Sequence, residues 1–210
     1  MKKYILFDLD GVVLDSEIWW PEALFREIGK HIPDWTMEKQ DSIKGASMNQ
    51  VREILTDKFG YPLDPVEHEK LWWAAIEGVY DFAAPVDGIE DLLKNLQKLG
   101  VILAVVASNR RATVEKGLKD AGLIQYFERI FTVPEAGLES KANGEIYELA
   151  VRELGAEKGD CVVVEDSRGG VSSGKAAGLF VVGFKAPGSD QDLSAADAII
   201  DNIGDVEKFL

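Results

Sequence analysis

The sequence is poor in the residues that build disulfides and soft metal centres: one cysteine, Cys161, and two histidines, His31 and His68. A lone thiol closes no intrachain disulfide and builds no thiolate cluster, which fits a reducing, cytoplasmic setting. Long apolar runs are missing too. None approaches the roughly 18–20 residues needed to span a bilayer. The opening MKKYILFDLDG is broken by acids after a few apolar residues, so it does not read as a signal peptide. There is no excess of base. Lys and Arg number 23 against 37 Asp and Glu, a net charge of −14. That balance argues against nucleic acid or an anionic membrane as partner, since both require a basic face. Internal repeats, low-complexity segments and long single-sign charge runs are also absent, so the acidity is expected on solvated helix faces. An anionic substrate would then have to be met by a few placed Lys, Arg or backbone N–H groups, or by a metal.

What is present suits a soluble globular chain. Of 210 residues, 46% are apolar and 29% charged, enough for one core, or one core plus a small accessory domain. Apolar, β-branched runs recur at 4–11, 101–109, 129–133, 161–167, 180–184 and 197–202. Their continuous apolar character is that of strands buried on both faces. Between them lie helical spacings: Ile89, Leu92, Leu93, Leu96 and Leu99; then Val114, Leu118 and Leu123; then Ile146, Leu149, Ala150 and Leu154. The alternation predicts an α/β fold, a Rossmann-like parallel sheet with helices on both faces. Ligands of such sheets bind beyond the carboxyl ends of the strands. Residues 16–82 differ. They carry helical spacings only (Trp20, Leu24, Ile28; Val51, Ile54, Leu55; Leu71, Trp72, Ala75, Val79) and predict an all-helical cap domain, leaving 1–15 and 83–210 as the core.

Chemistry collects where the strands end. FDLDG puts Asp8 and Asp10 after the first strand with equal side-chain parity. Turn chemistry would also explain Asp-Gly, whereas a calcium loop would need a preceding helix, a third ligand and a closing Glu. VVASN leaves Ser108 and Asn109 after a second strand, where Ser could be a helix N-cap, an anion site, or both. CVVVEDS places Glu165 and Asp166 after another, followed by Gly169, Gly170 and Gly174, which would let backbone approach closely. Lys141 precedes a helix starting near Gly144. Four acids at one sheet edge repel unless a hard cation sits among them, and oxygen-only ligands suit Mg²⁺. Ser108, Lys141 and strand-end N–H groups would then hold a phosphoryl group, and one carboxylate would remain to attack phosphorus.

FDLDGVVLDSE, VVASN, Lys141 and VVVEDSRGGVSSGKAAG, in that order, resemble the haloacid dehalogenase superfamily, in the subgroup with a helical cap after the first motif (β-phosphoglucomutase and phosphoglycolate phosphatase-like). The resemblance implies a Mg²⁺-dependent phosphatase of a small phosphorylated metabolite. Asp8 would be the nucleophile and Asp10 the general acid/base. Asp8, the Asp10 carbonyl and Asp166 would bind Mg²⁺, with Glu165 adjacent, and Ser108 and Lys141 would bind phosphate. Asn109, Lys44, Gly45 and Trp20 would contact substrate, with packing in the cap core the favoured account of Trp20 and a surface lysine an equal account of Lys44. A monomer or weak dimer is expected. Members that dehalogenate lack the second acid, so Asp10 points to phosphoryl transfer. Two departures stand out. Lys141-Ala142-Asn143-Gly144-Glu145 lacks the prolines of the usual Lys-Pro-x-Pro-Asp, which stiffen that loop. Trp20 replaces the His that phosphoglucomutase members use as acid/base, which disfavours the alternative of a phosphosugar mutase. A non-catalytic relative that binds a phospho-ligand is the other alternative.

Overall fold

A computed structural model describes residues 2–43, 48–138 and 140–210. The apolar runs form a six-stranded sheet from β1 (Tyr4–Phe7), β4 (Ile102–Ala107), β5 (Arg129–Thr132), β6 (Cys161–Glu165), β7 (Phe180–Phe184) and β8 (Ala198–Ile200). The order is β5-β4-β1-β6-β7-β8, and every neighbouring pair is parallel. β1 takes a central place because it has no polar side to show. Ile5, Leu6 and Phe7 are fully buried, each stabilising the fold by roughly 1.5–3 kcal/mol. One strand parity (Leu6, Ala104, Val106, Val163, Val181) packs into a cluster with Ile146, Tyr147, Ala150 and Val171. These come from α7 (Glu145–Glu153) and α8 (Arg168–Ala176). The opposite parity, Ile5, Phe7, Val105, Val162 and Val164, is equally buried. α5 (Ile89–Lys98) packs beside β4 through Ile89, Leu92, Leu93 and Leu96, and α6 (Arg111–Asp120) packs beside β5.

Several helical spacings overrun their helices. Leu99 caps α5 and is exposed, Leu154 caps α7, and Leu123 lies beyond the end of α6. In each case a glycine, Gly100, Gly155 or Gly122, follows within a residue or stands just before, and ends the helix in a turn.

After Asp8 the chain folds back tightly. Val13 and Leu14 N–H both donate to the Leu9 carbonyl at 2.9 Å, and Gly11 N–H donates to Leu14 O at 2.8 Å. It emerges as β2 (Leu14–Asp15), which pairs antiparallel with β3 (Ala84–Pro85). The chain divides into two compact units, Met1–Asp15 with Ala84–Leu210, and Ser16–Ala83. The second is a helical insertion of α1 (Trp20–His31), α2 (Met37–Asp41), α3 (Met48–Asp57) and α4 (Pro65–Val79). Its own core joins Leu24, Ile28, Ile32, Trp35, Val51, Leu55, Leu71 and Ala75. Prolines in the first turns of α1 and α4, and the Asp64 side chain accepting from Val66 N–H, explain where those helices start. Among the described residues no helix is long and apolar enough to cross a membrane.

Candidate active site

Three strands end side by side. Phe7 of β1 stands opposite Val105 of β4 and Val164 of β6, so Asp8, Ser108–Asn109 and Glu165–Asp166 reach one sheet edge. Asp8 N–H is tied to the Val164 carbonyl at 2.9 Å, which fixes where its side chain leaves the strand. Carboxylate oxygens of Asp8, Glu165 and Asp166 lie within 4.8 Å of one another. Glu165 is fully buried and Asp166 nearly so.

Lys141 reaches two of these acids. Its Nζ is 2.5 Å from Asp8 Oδ1 and 2.6 Å from Glu165 Oε1, and it donates to the Val106 carbonyl at 2.8 Å. Lys141 is thus no solvated surface lysine. Burial opposes the ammonium, but the charges of Asp8 and then Glu165 outweigh it and hold Lys141 above the ordinary lysine range. Burial, then the charge of Asp8, pushes the Glu165 carboxyl up to about 7, against the pull of Lys141 and Tyr147. An oxygen-only trio, one member of which is destabilised as an anion by its surroundings, has the donor chemistry of a hard divalent cation site.

The Asp10 side chain accepts from Asn109 Nδ2 at 2.9 Å. Ser108 is exposed just past β4. It is not a helix cap, because α6 begins at Arg111 with Arg110 in the cap position. Gly170 and Gly174 do permit close approach: a Cβ on Gly170 would collide with the Glu165 carboxylate, and one on Gly174 would press on Val181, while Gly169 faces open space. In the helical unit the Trp20 ring lies 5.5 Å from that of Trp72, tilted by 37°, and packs against that unit's core. Lys44 and Gly45 lie outside the described residues.

A sequence profile of the haloacid dehalogenase-like hydrolases matches residues 2–178. This chain belongs to that family. The validoxylamine A 7'-phosphate phosphatase of Streptomyces hygroscopicus subsp. limoneus is 30% identical, over 98% of this chain and 96% of its own length. Hexitol phosphatase A of Escherichia coli is 32% identical, over 96% of this chain and 91% of its own. The fold matches a solved structure of a candidate β-phosphoglucomutase from Thermotoga maritima with a TM-score of 0.83, covering 99% of both chains at 23% identity. Like that structure, this haloacid dehalogenase-like hydrolase combines the parallel sheet with an N-terminal helical insertion.

Three residues shape the site in ways the strand-end motifs do not declare, although Gly144 marks the start of a helix and Ser173 lies within the last motif. Tyr147 donates its hydroxyl to Glu165 Oε1 at 2.5 Å. Ser173, fully buried, donates to the Lys141 carbonyl. Gly144 caps α7 at φ +80°, where a Cβ would meet the backbone of Ala177 at 2.7 Å and of Ser173 at 2.9 Å. Ser173 and Gly144 supply what the absent prolines would have: they press the Lys141 loop onto α8. The family's usual pattern pointed to prolines, so sequence alone had no reason to look to α8 for this support.

Proposed function

We propose that the protein is a Mg²⁺-dependent phosphatase of a small phosphorylated metabolite, working through an aspartyl-phosphate on Asp8. The observation that carries this reading is the Asp8–Lys141–Glu165–Asp166 cluster at one sheet edge. Relatives named as a validoxylamine A 7'-phosphate phosphatase and a hexitol phosphatase support it. Lys141 engages Asp8 Oδ1, which leaves Oδ2 as the attacking oxygen. That oxygen forms a bond to phosphorus as the bond to the leaving oxygen breaks, and Asp10 in its acid form gives the leaving oxygen a proton. Asp10, now a carboxylate, takes a proton from water as that water attacks phosphorus. The bond to Asp8 breaks and inorganic phosphate leaves. Lys141 and Ser108 hold the peripheral phosphoryl oxygens and meet the charge that develops there. Asn109, donating to Asp10 Oδ2, keeps the acid/base aimed. Asp8, Asp166, the Asp10 carbonyl and Glu165 would hold Mg²⁺. When bound, the cation supplies Lewis-acid neutralisation of the phosphoryl charge.

The test is Asp8→Asn, which keeps shape and removes the nucleophile. Phosphate release from a generic aryl phosphate in Mg²⁺ should fall to background while the unfolding midpoint stays near wild type. Retained turnover would remove the covalent mechanism. A metabolite panel run on the wild type identifies the substrate.

A further inference from the structure

Tyr147 is among the largest fully buried side chains of the protein, set in the apolar cluster of Ile146, Ala150, Val163 and Val171. A phenylalanine would fill that space as well. A hydroxyl there must find a partner or cost the fold its lost hydration, and the partner it finds is Glu165 Oε1, at 2.5 Å. The same oxygen receives Lys141 Nζ at 2.6 Å, and that ammonium stands 5.3 Å from the centre of the Tyr147 ring. The other oxygen, Oε2, takes a long contact from Ser167 Oγ at 3.4 Å. The absent Cβ of Gly170 leaves the carboxylate room against α8. Glu165 is therefore oriented by α7 as much as by its own strand.

We propose that Tyr147 is a positioning residue of the cation site: its hydroxyl fixes the Glu165 carboxylate in the trio with Asp8 and Asp166. This rests on the metal-dependent reading above. Without the hydroxyl, Lys141 becomes the one strong donor on Oε1, and the carboxylate is free to follow the lysine away from the other two acids. Groups that orient a metal-binding side chain from behind typically change metal affinity or activity by about 10–100-fold when removed. Tyr147→Phe deletes one oxygen and keeps the packing, so its effect should fall on the metal and not on the fold.

The experiment is a Mg²⁺ titration without substrate, followed by calorimetry, on wild type, Tyr147→Phe, Glu165→Gln and the double variant. Tyr147→Phe should weaken Mg²⁺ about 10-fold while leaving the unfolding midpoint in EDTA close to wild type. In the Glu165→Gln background it should add no further loss, since its route to the metal is gone. Wild-type affinity in Tyr147→Phe, or the same loss again in the double variant, overturns the proposal. Should the variant not fold, tyrosine-labelled wild-type protein answers by NMR. The Tyr147 ring resonance should shift along the Mg²⁺ binding curve, and an unmoved resonance overturns the proposal. A wild type that binds no Mg²⁺ overturns the metal reading itself, a failure visible in the wild-type arm before any variant is compared.

Discussion

Replacing Lys141 by methionine would keep most of the side chain's bulk and remove its charge from among three oxygens at 2.5, 2.6 and 2.8 Å. Removing one partner of a buried ion pair costs about 3–5 kcal/mol, because the other charge stays buried and uncompensated. Against a total stability on the order of 5–15 kcal/mol, the loss is severe but survivable. It should also depend on pH. Glu165 already titrates well above an ordinary glutamate while Lys141 pulls it down, so without the lysine it rises further. A carboxyl raised in the fold binds its proton more readily there than in the unfolded chain. Its contribution is therefore fully present below the unfolded pKa and is lost as pH rises through the folded one. At pH 5 the variant can neutralise Glu165 by taking up a proton; at pH 8 it cannot do so as fully. Urea unfolding in EDTA should show a loss of about 3–5 kcal/mol at pH 8. At pH 5 the loss should be smaller by at least ~1 kcal/mol, the equivalent of roughly one pKa unit, with the dependence on urea unchanged. Glu165→Gln in the same background should reduce the pH 8 loss. Equal losses at the two pH values, or none at pH 8, would refute the view that Lys141 compensates Glu165.

Gly144→Ala forces a side chain onto φ +80° and into the backbone of α8, so it should cost more than ~1 kcal/mol and slow phosphate release by displacing Lys141. A urea midpoint within error of wild type would show that the loop is not seated this way. In the helical unit, burial and then the nearby Arg52 hold His68 below the ordinary histidine range, against its bond to the Met48 carbonyl at 2.7 Å. A histidine kept neutral by the fold stabilises above its unfolded pKa and loses that contribution as pH falls. The stability gap between wild type and His68→Gln should therefore narrow from pH 8 to pH 5, and a constant gap would sink this reading.

The acids were legible in the sequence because each follows a continuous apolar run, and such runs must be central strands whose ends meet at one edge. Lys141 was legible only when joined to the strand-end acids and the family pattern, since nothing in its own neighbourhood separates it from a solvated lysine. Tyr147 was hidden for a different reason. It stands beside Ile146 within a helix whose Ile146, Leu149 and Ala150 already account for a buried face, so its ring reads as packing and its hydroxyl goes unnoticed. Ser173, inside α8, is masked in the same way. Short elements escaped altogether. β2 and β3 have two residues each and α2 five, fewer than any periodicity needs to declare itself.

The ribbon of β2 and β3 has a consequence for how such a chain can change over generations. Asp15 and Ala84 are direct partners across it, so the sheet unit holds the two ends of the Ser16–Ala83 segment together whatever lies between them. Each doubling of a loop whose ends are already fixed costs only about 0.6 kcal/mol in closure entropy. The sheet and its acids therefore place almost no constraint on that segment's length or sequence. It can be lengthened, exchanged or pared back in a lineage while Asp15 and Ala84 stay paired.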